Sequence, residues 1–161
     1  MKNRIVFLVL ATAGTCAFAA VNLPKEGTYD SISCWTGTAT DIAVGKDHSA
    51  GSYEMVGTII THPPGGLGDQ NTFRCVGLRT SFKGKPGGGN VCEITDPDGD
   101  KRINRFEAQP DGRFVREMVM GTGKYEGMTV TNTVAMMPPM KEAKPGTFQG
   151  CNRQTGTYKL K

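Results

Sequence analysis

Short alternations of apolar and polar residues run along the chain, broken by clusters of Gly, Pro and Asp. The clearest alternation is Met128 to Met136. Met128, Val130, Asn132, Val134 and Met136 share one face, and Thr129, Thr131, Thr133 and Ala135 share the other. A period of two is that of a β-strand, because successive side chains point to opposite faces of a sheet. No stretch carries a helical period. The pattern predicts strands over Thr28–Thr38, Ser52–Thr61, Asn71–Phe82, Asn90–Thr95, Lys101–Ala108, Arg113–Gly121, Met128–Met137 and Thr155–Leu160. About eight strands joined by short turns predict an all-β domain, a single antiparallel β-barrel, with a β-sandwich as the alternative.

Two connections repeat one theme, Asp96-Pro97-Asp98-Gly99 and Gln109-Pro110-Asp111-Gly112. Proline sets φ for the first central position of a type I turn, aspartate suits the second, and glycine accepts the left-handed conformation that follows. These turns predict three consecutive antiparallel strands. Gly65-Gly66-Leu67-Gly68 and Gly87-Gly88-Gly89 read as looser loops.

If the apolar face of the Met128–Met136 strand points inward, Asn132 is a polar group inside. Arg116 has the same place between Phe114 and Met118. Buried polar groups need partners. They either satisfy each other and trapped water or line a cavity and orient a ligand. Glu93, between Val91 and Thr95, is the carboxylate best placed to join Arg116 and Asn132 as a cavity residue. Glu54, Glu107 and Glu117 are the other acid–base candidates.

The N-terminus changes the compartment. Lys2 and Arg4 precede an apolar stretch from Ile5 to Leu10, and Ala17-Phe18-Ala19 has the small-x-small form of a signal-peptidase site. Residues 1–19 are therefore expected to be a signal peptide and residues 20–161 the exported domain, periplasmic or secreted, with no membrane span. Cys16 falls in the signal peptide. Cys34, Cys75, Cys92 and Cys151 remain, an even number in an oxidising place, which implies two disulfides with three pairings open. The strands around Cys75 and Cys92, joined through Lys83 to Gly89, set these two nearly opposite. Cys75–Cys92 is the favoured pair, which leaves Cys34–Cys151 to tie the first strand to the last.

The formal charge of +4 falls to +2 once Lys2 and Arg4 leave, since no acid leaves with them. Basic residues are interleaved with acids, so no tract grips phosphates and nucleic acid is not an expected partner. Asp96, Asp98 and Asp100 fall on the spacing of a calcium loop. Lys101 stands where that loop needs glycine, and Pro97 and Arg102 also break the pattern. They remain weak metal candidates. His48 and His62 sit in loop contexts, and Met136-Met137-Pro138-Pro139-Met140 reads as core methionines before a proline corner.

Gly121-Thr122-Gly123-Lys124-Tyr125-Glu126-Gly127 has the look of a phosphate loop but lacks its first glycine and the Ser or Thr after lysine. Followed by an alternating strand, this run resembles the G-T-G-x-[FY] element of the allene oxide cyclase and dirigent-like barrels. The resemblance implies an eight-stranded antiparallel barrel with a central cavity, in a group whose members cyclise or guide small apolar substrates. It places no catalytic residue on this chain.

The expected function is a non-catalytic binding or interaction module, with a small apolar ligand as partner and no cofactor. An enzyme of the cyclase or isomerase type is the alternative, and a divalent-metal-binding protein the second alternative.

Overall fold

Alternation between inward and outward side chains carries through eight antiparallel strands in the computed structural model, which describes residues 23–161 apart from Val44, Pro110 and Gly112. The expected signal peptide, Cys16, and Pro110 and Gly112 of the second Pro-Asp-Gly turn lie outside the described residues. The strands are β1 (Glu26–Ala43), β2 (His48–Thr61), β3 (Thr72–Phe82), β4 (Lys85–Thr95), β5 (Lys101–Ala108), β6 (Phe114–Gly121), β7 (Thr129–Met136) and β8 (Thr147–Lys159), with one 3₁₀ turn over Gly123–Tyr125.

All eight belong to one sheet in the order β6-β5-β4-β3-β2-β1-β8-β7. Each strand therefore lies beside its neighbours in sequence, and β8 returns to pair with β1. The sheet is nearly closed into an up-and-down barrel rather than split into a sandwich. The one gap is the seam between β6 and β7, the two ends of that order. The β2–β3 loop, the β4–β5 turn and the β6–β7 connection share one end of the barrel. The other four connections share the opposite end.

The first and last of the predicted strands were too short, because the alternation is interrupted by small residues that the sheet tolerates. β1 pairs with β2 out to Ala43, and β8 begins at Thr147, eight residues before the expected start. Gly87-Gly88-Gly89 is not a loop. It lies inside β4 and pairs with Thr80, Arg79 and Leu78 of β3. A Cβ at Gly88, whose φ is +104°, would collide with the Leu78 carbonyl, so glycine is needed there for close approach of two strands. The true β3–β4 turn is Lys83-Gly84, with φ of 53° and 72°. Positive φ at both central positions is what a two-residue hairpin requires.

Two apolar clusters bound the interior. Tyr29, Leu67, Tyr125, Met128 and Tyr158 are buried together at the closed end. Phe73, Cys75, Cys92 and Ile94, with Trp35, Met55, Ile59 and Phe106 against them, form one wall. Cys75 and Cys92 are directly opposed in the β3–β4 register and are joined by a disulfide. Cys34 and Cys151 are directly opposed between β1 and β8 and are joined by the second. Cys34 shares its face of β1 with Asp30 and Thr36, and its partner Cys151 is buried.

The two bridges close loops of unequal length, with sequence separations of 117 and 17 residues. Loop-closure entropy gives about 4–5 kcal/mol for the longer and about 3 kcal/mol for the shorter. Peptide mapping of unreduced protein is expected to find these two pairs and no free thiol. In denaturant unfolding, the double substitution Cys34→Ala/Cys151→Ala is expected to remove about 4 kcal/mol or more by the same reckoning. Four titratable thiols in exported material would contradict the arrangement.

Candidate functional site: the barrel cavity and its closed end

Inward positions of all eight strands surround a cavity of about 600 Å³. Its walls differ in character. The β2–β4 side is apolar toward the closed end, with Met55, Ile59, Phe73, the Cys75–Cys92 bridge and Ile94, and carries Tyr53, Asn90 and Arg79 toward the open end. The side formed by β1, β5, β6 and β8 is polar: Tyr29, Ser31, Asn104, Arg116, Asn152 and Gln154. Met137, Pro138, Pro139 and Phe148 stand at the open end.

Arg116 organises the polar wall. Its Nη1 donates to Gln154 Oε1 at 3.0 Å and to the Tyr29 hydroxyl at 3.3 Å. With the Asn104 amide oxygen turned to the guanidinium, that oxygen accepts from Nε at 3.1 Å and Nη2 at 3.2 Å. Gln154 Nε2 in turn donates to Asn152 Oδ1 at 3.0 Å, and the Tyr29 hydroxyl donates to the Thr131 carbonyl on β7 at 3.1 Å. This chain of hydrogen bonds crosses the seam that the backbone leaves open. Every acceptor around Arg116 is neutral. Burial pulls its guanidinium below the usual arginine range, and Tyr29 opposes the shift. Burial also raises the Tyr29 phenol, against the two arginines, so Tyr29 stays protonated and can both donate and accept.

Arg102, which the pattern did not single out, is the second buried cation. It is 4% exposed and lies over the Tyr125 ring at 4.7 Å, in cation–π geometry. Its Nη2 donates to the Asn71 amide oxygen at 2.9 Å once that amide is oriented to match. Its Nε has no partner. Burial pushes its guanidinium down to about 10. A signal was present: Arg102 alternates with Asn104 and Phe106 on the inward face of β5.

Arg116 thus lines the cavity. Asn132 points inward on β7 beside it in face, with a buried Nδ2 that has no partner, but it is not part of the cavity lining. Glu93 is a correction. It stands on the outer face of β4, half-exposed, with its carboxylate 3.0 Å from Lys101 Nζ. Cys92 points inward, so the next residue must point out. The other three glutamates share that fate, Glu54 with Arg74 and both Glu107 and Glu117 with Arg105. Among the described residues no Asp or Glu lines the cavity.

The acidic turn has its cation already. Lys124 Nζ lies 2.7 Å from Asp96 Oδ2 and 2.5 Å from Asp98 Oδ2. Asp96 Oδ1 accepts the backbone N–H groups of Asp98 and Asp100 at 2.9 and 3.0 Å. Asp100 Oδ2 accepts the Lys124 N–H at 3.0 Å. The Asp96, Asp98 and Asp100 carboxylates are thus committed to a lysine and to backbone donors, and no cluster of metal-binding side chains forms among the described residues. Gly123, at φ +51°, must be glycine: a Cβ there would collide with the Asp100 carboxylate. Thr122 continues the β5–β6 pairing by exchanging hydrogen bonds with Lys101 at 2.8 Å each. Tyr125, 1% exposed, plugs the closed end. The Gly121–Gly127 run is therefore an end clasp.

No family model, curated protein or solved structure matches the chain.

The clasp has a pH signature. Burial works to raise the Asp96 carboxyl, but Lys124 and the backbone donors outweigh it and hold the group below the ordinary carboxylate range. Its contribution to stability is complete above the unfolded value near about 4 and fades as pH falls through the folded one. Lys124→Ala leaves a buried carboxylate without its cation and is expected to cost roughly 2–3 kcal/mol near neutral pH. The gap between the two proteins, read from unfolding midpoints, should shrink as pH falls below about 4 and through the lowered Asp96 value. An equal gap at every pH would contradict the ion pair.

Millimolar calcium is expected to move the melting temperature by no more than about a degree, since a ligand stabilises only as RT ln(1 + [L]/Kd). A large calcium shift abolished by Asp98→Ala would reinstate the metal reading.

Proposed function

We propose that this chain is an exported binding protein whose barrel holds a small, largely apolar ligand, and that it works without catalysis. The observation that carries the reading is the unfilled interior. An eight-stranded barrel is just wide enough for its own side chains to fill. Here neighbouring rings pack over inward glycines, Phe73 on Gly57 and Tyr53 on Gly77, and about 600 Å³ still stays open. A cavity of this size with one apolar wall and a few convergent polar groups is the usual form of a small-molecule site.

The two disulfides, which persist in oxidising surroundings, support the exported reading, as does the signal-like N-terminus. No helix among the described residues is long and apolar enough to cross a membrane. A cyclase would need an acid or base against the substrate. The four glutamates weighed for that role face outward in ion pairs, which favours binding over turnover. The likeness of Gly121–Gly127 to the cyclase and dirigent-like element supports a shared barrel and a cavity, and no residue role comes with it.

The single tryptophan of the chain, Trp35, lines the cavity and is a built-in reporter. Titration with the neutral apolar dye N-phenyl-1-naphthylamine is expected to quench Trp35 by energy transfer and saturate at one dye per chain. Val134→Phe, which adds bulk on the β7 side of the cavity, should weaken the dye at least tenfold while the protein still melts cooperatively. Absence of saturable quenching in the wild type would overturn the binding reading.

A further inference from the structure

We propose that the ligand is a small amphipathic anion, an apolar body ending in one carboxylate, seated with the carboxylate at Arg116. The proposal rests on the reading of the barrel as a binding site. Three arginines line the cavity, Arg79, Arg102 and Arg116, and no carboxylate does among the described residues. Arg79, toward the open end, is neutralised by a two-pronged pair with Asp41. Arg116 and Arg102 have no such partner. A buried guanidinium is ordinarily compensated by an anion, because neutral dipoles do not cancel its charge.

The neutral groups around Arg116 do something narrower: they fix it. Tyr29, Gln154 and Asn104 take four of its five N–H groups and hold the guanidinium plane still. One Nη2 hydrogen and the whole charge remain for an incoming oxyanion. Arg102 Nε, buried and unpartnered, adds to the positive field from the closed end. Burial holds both guanidinium groups below the usual arginine range, and Arg102, at about 10, stays protonated at neutral pH. Facing this pole are Phe73, the Cys75–Cys92 bridge and Ile94, which offer a body of the ligand no hydrogen bond at all. One wall therefore asks for a charge and the other for hydrocarbon. The open end lies away from Arg102 and Leu67, so the charged group enters first and the apolar part trails toward Phe148 and Pro138.

Calorimetric titration of the oxidised full-length protein with decanoate, decanol and acetate tests this. Decanoate is expected to bind tighter than decanol by roughly tenfold to a hundredfold, the range of a charge-assisted hydrogen bond, and acetate not to bind measurably. Lowering the pH through the carboxyl range, about 4–5, should erase the advantage of decanoate and leave decanol unchanged. Arg116→Gln should bring decanoate down to the level of decanol. Arg116→Lys, which keeps the charge and loses the fork, should keep part of the preference. Equal binding of decanoate and decanol by the wild type would overturn the anion proposal and leave the binding reading standing. Binding of neither would overturn both. Acetate binding as tightly as decanoate would overturn it too, because the apolar wall would then play no part. If Arg116→Gln does not fold, the wild-type pair and its pH dependence still decide.

Discussion

Closure of the sheet is the constraint from which the rest follows. A sheet in the order β6-β5-β4-β3-β2-β1-β8-β7 curls until β6 faces β7, yet no ladder of backbone hydrogen bonds joins them. Two facing strand edges with unpaired groups are unstable to slippage and to pairing with other chains. Here the seam is crossed by side chains from inside. Arg116 leaves β6, meets Tyr29 of β1 and Gln154 of β8, and Tyr29 passes the connection to the Thr131 carbonyl of β7. Polar closure from within keeps hydrocarbon off that wall. It forces an interior with two characters, and it makes Arg116 both a structural tie and the charged pole of the cavity.

Charge is sorted by face to an unusual degree. Glu54, Glu93, Glu107 and Glu117 all stand outside in exposed ion pairs, each worth little in water. Arg102 and Arg116 stand inside with neutral partners. The same composition with the faces exchanged would have produced an acidic cavity and a basic surface, fit for cations. Net charge therefore says little about what the interior prefers, because it sums charges paired with carboxylates and two buried arginines that are not.

Much of the fold was legible because period two is a local signal that survives in every strand. The Met128–Met136 alternation and the Cys75–Cys92 pairing follow from it directly. What it did not carry were positions where a residue acts against its type. Gly87-Gly88-Gly89 has the composition of a loop and serves as a strand because β3 approaches too closely for a Cβ at Gly88. The place of Glu93 was implicit in the pairing itself: an inward Cys92 sends its neighbour out. Lys124 and the acidic turn are 24–28 positions apart in the chain, and only the β5–β6 hairpin brings them together, so the spacing of the aspartates alone suggested a metal that the lysine replaces.

The division of labour between the two ends explains how the interior can remain unfilled. Open volume ordinarily lowers stability, since its lining loses packing partners. At the closed end the chain concentrates its rigid features: the Lys124 ion pairs, the Asp69 carboxylate accepting the Thr61 and Gly65 N–H groups at 2.9 and 2.8 Å, and the buried Tyr29, Leu67, Tyr125, Met128 and Tyr158. The Cys34–Cys151 bridge ties β1 to β8. With register and closure fixed there, residues nearer the mouth are released from the task of holding the barrel shut. They can be chosen for what they leave empty.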